Sequence, residues 1–192
     1  MVTRTNVSNV SSTGDGDATV LIVEDERDTA DGYARLLDSD YEVRVAYTGE
    51  QALEALDPAV DVVLLDRRMP GLSGEQVLKV IEERGLDCRV ALVTAVAPDY
   101  DILKLGIDDY RTKPVGAEDI EATVEKLCAL DEYERLQREL SSARVKRNVL
   151  EVEKDRTELT HSREFQELVE RIEQLESELK TIENRYPGHF EA

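Results

Sequence analysis

Short apolar runs alternate with amphipathic stretches across residues 20–115. Val20–Val23, Val62–Leu65 and Val90–Val93 are continuously apolar, as strands buried on both faces of a parallel sheet must be. Tyr41–Val45 instead alternates apolar and polar residues, which predicts a strand with one wet face at a sheet edge. Ile107–Arg111 completes the strand set. Between the strands, Ala30, Tyr33, Ala34 and Leu37 share one helical face. Thr48–Leu56 predicts a second helix, with Thr48 as N-cap and Gln51 at the capping-box position; Pro58 stops it. Ser73–Glu83 repeats the device, with Ser73, Gln76 and the stripe Val77, Val80, Ile81. A shorter helix is predicted over Asp99–Leu105, closed by Gly106, and a fifth begins near Glu118. Five β–α units in sequence specify an α/β fold, a parallel sheet covered on both faces by right-handed crossovers.

Beyond Asp119 the pattern changes. Neither Gly nor Pro occurs from Ala117 to Tyr186, so nothing obvious interrupts helix. Phe165, Leu168, Ile172, Leu175, Leu179, Ile182 and Tyr186 recur at alternating spacings of three and four, a heptad seam. Before it, Leu136, Leu140 and Ala143 share one phase, while Val145, Val149 and Val152 take another. Residues 153–158 are wholly polar, which places a bend between Glu153 and Ser162, with Ser162 as an N-cap. The pattern admits two arms folded into a hairpin or one long coiled-coil helix.

Composition narrows the class. The net charge is −19 over 192 residues, and arginine supplies 17 of the 24 basic residues. Such self-repulsion is tolerated best where salt screens it, so this acid-rich, lysine-poor composition is read as that of a halophile with a high-salt cytoplasm, with an ordinary acidic protein as the alternative. The same charge disfavours attraction to nucleic-acid phosphates. No apolar run approaches the roughly 20 residues that cross a bilayer. The polar stretch Met1–Thr19 lacks the apolar core of a signal peptide and reads as a disordered leader. Cys88 and Cys128 form no metal-binding or disulfide framework, consistent with reduced thiols in a cytoplasmic protein.

The strand ends carry the chemistry. In an open α/β sheet, ligands bind beyond the carboxyl ends of the strands. There this chain delivers Glu24-Asp25, Asp66, Thr94 and Lys113. Phosphorylating a carboxylate brings two anionic groups together, so positive charge must be supplied; Mg2+ on carboxylates is the usual means. Asp25 and Asp66 are the candidate direct ligands, Glu24 a ligand through water, and the backbone carbonyl of Arg68 a further one. Lys113 would place an ammonium on the phosphoryl oxygens and Thr94 a hydroxyl. Positioning and charge neutralisation supply nearly all the catalysis in such a transfer.

The ordered set Glu24-Asp25, Asp66 with Met69-Pro70-Gly71, Thr94, Tyr110 and Lys113-Pro114 resembles the receiver domain of two-component response regulators over Thr19–Leu130. The resemblance implies a flavodoxin-like, doubly wound five-stranded sheet of order 2-1-3-4-5. It also implies a sensor histidine kinase as partner, which passes its phosphoryl group to Asp66, with Thr94 and Tyr110 as switch residues. Glu24 stands where the family more often has Asp. Residues 131–185, Leu/Glu/Arg-rich and including Ser162-Arg163-Glu164-Phe165, resemble the HalX domain attached to haloarchaeal receivers. The expected organisation is a leader over 1–18, a receiver over 19–130, a helical output or dimerisation region over 131–186 and a flexible tail over 187–192.

Other readings meet specific obstacles. An independent phosphatase of the haloacid-dehalogenase type needs a second carboxylate two residues after the acceptor, where this chain has Arg68. Arg144, Lys146 and Arg147 could touch DNA, yet residues 131–192 hold 16 acidic against 11 basic residues, a net of −5, so a solvated face is the better reading. A transcriptional regulator acting on DNA directly or through a partner stays as the alternative output. A homodimer is expected through either the 107–130 face or the 162–186 seam. His161 sits at the bend and His189 in the tail, both read as surface residues.

Overall fold

The computed structural model describes residues 18–187. The leader and tail expectations, and His189, therefore lie outside the described residues except at Ala18 and Pro187. Five strands form one sheet: β1 (Thr19–Val23), β2 (Glu42–Ala46), β3 (Val62–Leu65), β4 (Arg89–Thr94) and β5 (Asp109–Thr112). Their order is β2-β1-β3-β4-β5 and every pairing is parallel. Helices α1 (Arg27–Leu37), α2 (Gly49–Ala55) and α3 (Gly74–Arg84) follow the first three strands, and α4 (Ala117–Glu153) follows β5. This is the doubly wound order with a switch point between β1 and β3.

Burial follows the hydrophobic pattern. Central β1 and β3 are buried throughout, whereas edge strand β2 is mostly half-exposed. Leu21, Val23, Val63, Leu65, Val90 and Leu92 pack with Ala52, Leu56, Val77, Leu78 and Ile81 of the α2–α3 region. Ser73 and Gln76 form the expected capping box at α3, and Gly85 closes that helix in the left-handed region. Thr48 caps α2 through the Gln51 amide, but the Gln51 side chain accepts instead from the Tyr47 amide.

Two local expectations change. The helix predicted over Asp99–Leu105 is a 3-10 helix, Tyr100–Lys104, with no buried residue. Pro98 and Gly106 leave room for little more than one turn, and Tyr100 and Leu103 point to solvent. Strand β5 starts at Asp109 rather than Ile107, because the Asp108 carboxylate accepts from the Val90 amide (2.8 Å) and from Arg89 (3.2 Å) at the sheet's amino edge.

A second compact unit begins at Glu125. It contains most of α4, the short α5 (Arg156–His161) and α6 (Arg163–Arg185). The break expected between Glu153 and Ser162 is present, and the Ser162 hydroxyl caps α6 by accepting from the Phe165 amide. Tyr133, Leu136, Leu140 and Ala143 of α4 pack on Ile172, Leu175 and Leu179 of α6. Arg185 bonds Glu125, Tyr133 bonds Glu183 and Arg144 bonds Glu176, pairings whose reversed order makes the arms antiparallel, and Arg171 also bonds Glu139. The unit is a helical hairpin, with the centre of the heptad seam as its own core. Val145, Val149 and Val152 stay outside it. No described helix is long and apolar enough to cross a membrane.

Candidate functional site

The strand register brings the sequence-predicted residues together. Val23 pairs with Leu65, Leu65 with Leu92 and Thr94 with Thr112, so four strand ends share one edge. The backbone ladder runs one residue further into the site. The Asp66 amide donates to the Val23 carbonyl, the Glu24 amide to the Ala46 carbonyl, and the Lys113 amide to the Thr94 carbonyl. Glu24, Asp66 and Lys113 therefore leave the sheet from fixed backbone positions.

Oxygens of Glu24, Asp25 and Asp66 lie within 4.8 Å of one another. Glu24 is 3% exposed and Asp66 8%, whereas Asp25 faces solvent. The Lys113 ammonium donates to Glu24 at 2.5 Å and to Asp66 at 2.7 Å. Burial pushes the Glu24 carboxyl up, and the Lys113 ammonium only partly offsets it. Burial opposes the charge on Lys113 too, but its hydrogen bonds to Asp66 and Glu24 outweigh that and hold its pKa above the ordinary value. Three carboxylates facing one ammonium leave an excess of negative charge. The donor set fits a hard divalent cation: bonds of about 2.1 Å place opposite oxygens roughly 4 Å apart, close to the spacing here.

The turn after β3 holds the other Asp66 oxygen, which accepts from the Arg68 amide at 3.0 Å. Gly71 adopts a φ of 77°, and a methyl group on Gly74 would overlap the Asp66 carbonyl oxygen. These two positions need glycine for different reasons, one for backbone angle and one for space. The Lys113–Pro114 peptide is cis.

Thr94 is buried, 1% exposed, and its hydroxyl accepts from the Val96 amide at 3.4 Å. The half-buried Tyr110 donates its hydroxyl to the Val96 carbonyl at 2.8 Å. Both candidate switch residues thus hold the same stretch of the β4–β5 connection. Arg67 is the residue that sequence reasoning missed. Its guanidinium bonds Glu75 at the start of α3 and Asp101 in the 3-10 helix. The position beside Asp66 was the only available signal, and it named neither partner. The Arg68 side chain is exposed.

Comparison with known proteins agrees with this geometry. The response regulator receiver domain family matches residues 20–125, and the HalX domain family matches residues 129–192. A Haloferax volcanii protein named as a candidate transcriptional regulator is 40% identical over 187 residues, covering 96% of this chain and 32% of its own length. Transcriptional regulatory protein DltR of Streptococcus agalactiae is 41% identical over 110 residues, covering 55% of this chain and 49% of its own. This chain thus spans about a third to a half of these curated relatives. Among solved structures, Thermotoga maritima response regulator TrrA in complex with Mg2+-BeF is 29% identical, with a TM-score of 0.50 over 57% of this chain and 98% of that one. The sheet order, the acidic edge and both family matches converge: this chain belongs to the response regulator receiver family and carries a HalX domain after its receiver.

Proposed function

We propose that this chain is a phosphoacceptor signalling protein, taking a phosphoryl group from a sensor histidine kinase onto Asp66. The observation that carries the reading is the buried contact of Lys113 with Glu24 and Asp66 inside a carboxylate cluster. Buried charge of this kind costs folding stability, and such clusters concentrate at functional sites, which supports the reading. An Asp66 oxygen bonds to phosphorus as the phosphorus–nitrogen bond to the kinase histidine breaks, and the departing imidazole takes up a proton. The Lys113 ammonium follows the charge onto the phosphoryl oxygens, and the Arg68 amide holds the remaining Asp66 oxygen in place. Asp25, Asp66 and the Arg68 carbonyl would hold Mg2+ directly and Glu24 through water. When bound, the ion neutralises charge that Lys113 alone does not balance.

Phosphorylation then acts on the β4–β5 connection. The hydroxyl of Thr94 moves to a phosphoryl oxygen and releases the Val96 amide, which frees Tyr110 to repack. The receiver's 107–130 face changes with it and the helical region transmits the change to a protein partner. The names of the relatives favour a second output, transcriptional regulation on DNA or through a DNA-bound partner. A mobility shift across a salt series separates the two, since direct binding weakens steeply with salt.

Incubation with acyl phosphate and Mg2+, followed by peptide mapping, tests the acceptor assignment. The phosphoryl group is expected on the peptide containing Asp66; its recovery on another residue would overturn the reading.

A further inference from the structure

The outer face of α4 carries an apolar stripe that the hairpin does not use. Val145, Val149 and Val152 are 59%, 56% and 83% exposed. At roughly 100° of rotation per residue, they fall opposite Leu136, Leu140 and Ala143, which face α6. Ser141, Ser142 and Asn148 border the stripe, all exposed and none charged. In a chain of net charge −19, an uncharged apolar face is where a second copy can approach with least repulsion.

We propose that this face of α4 is a self-association surface, on which a second copy packs antiparallel with Val149 at the two-fold axis. The flanking charges set the direction. Lys146 and Glu153 are both exposed and lie on the same side of the stripe. Antiparallel pairing about Val149 brings Lys146 of each copy to within one residue of Glu153 of the other, and symmetry makes the contact twice. A parallel alignment instead sets Arg144, Lys146 and Arg147 level with their own counterparts, and Glu151 and Glu153 level with theirs. The opposite heptad seam is unavailable at its centre, because Ile172, Leu175 and Leu179 already pack on α4 of the same chain. The surface does not depend on the chemistry at Asp66.

Sedimentation equilibrium of the full chain near physiological ionic strength tests the proposal through charge reversal. Lys146→Glu makes the chain more acidic and Glu153→Lys makes it less so, yet each is expected to weaken the dimer about tenfold, by turning two attractive contacts repulsive. The double reversal restores the wild-type dissociation constant. If Glu153→Lys tightens association, net charge governs it and the antiparallel register is wrong. Val149→Glu, at an exposed position that leaves the hairpin core intact, is expected to give a monomer. A wild-type chain that stays monomeric at all concentrations, or a Val149→Glu dimer as tight as wild type, overturns the surface itself.

Discussion

The receiver and the helical hairpin handle charge in opposite ways. In the receiver, Glu24 and Asp66 are buried at a sheet edge with a single ammonium between them, so electrostatics there works against stability. In the hairpin, charges such as Arg144–Glu176 and Arg171–Glu139 sit at the margins of an apolar seam. Exposed pairs of that kind contribute little energy but discriminate between registers. The first unit gives up stability at its buried acidic edge, and the second derives its stability from side-chain packing.

The largest effect that would sharpen this contrast is Lys113→Met. It strands two buried carboxylates, so unfolding with divalent cations chelated should show the receiver destabilised by about 3–5 kcal/mol. An unchanged midpoint would mean that the site tolerates its excess charge without the ammonium. Next comes Leu175→Ala, which opens the fully buried centre of the hairpin. A loss of about 2–5 kcal/mol is expected for the helical unit, with acyl-phosphate labelling of the receiver intact. Loss of labelling in that variant would show that the two units are not separable in function.

The smallest effect concerns Cys88, whose thiol burial pushes up to about 11. Its folded pKa is raised, so its stabilising contribution is complete below the ordinary thiol value and is lost as pH rises toward the folded one. Alkylation at pH near 8 should therefore be slow in the folded chain and accelerate on unfolding, because only the thiolate reacts. Equal rates in both states would contradict the burial.

What the sequence reveals depends on how local the cause is. Asp66, Glu24 and Lys113 were legible because each follows a strand candidate, and parallel pairing aligns strand ends whatever the intervening loops do. The Ser73 and Ser162 caps were legible because a cap is settled within three residues. Arg67 was not, since Glu75 and Asp101 reach it from different elements. The 3-10 helix was overread because Gly106 marks where a helix ends but not which kind precedes it, and the fold leaves Tyr100 and Leu103 in solvent. The phase change at Val145 was visible, but only the packing of Leu136, Leu140 and Ala143 shows which phase faces inward.

The central claim, a carboxylate made reactive by a divalent cation and one ammonium, is tested most directly by the rate of phosphoryl incorporation from an acyl phosphate. Wild type should incorporate label with Mg2+ present and lose it in excess chelator, and Asp66→Asn should incorporate none under either condition. Sustained labelling of Asp66→Asn, or wild-type labelling that persists in the chelator, would contradict the account.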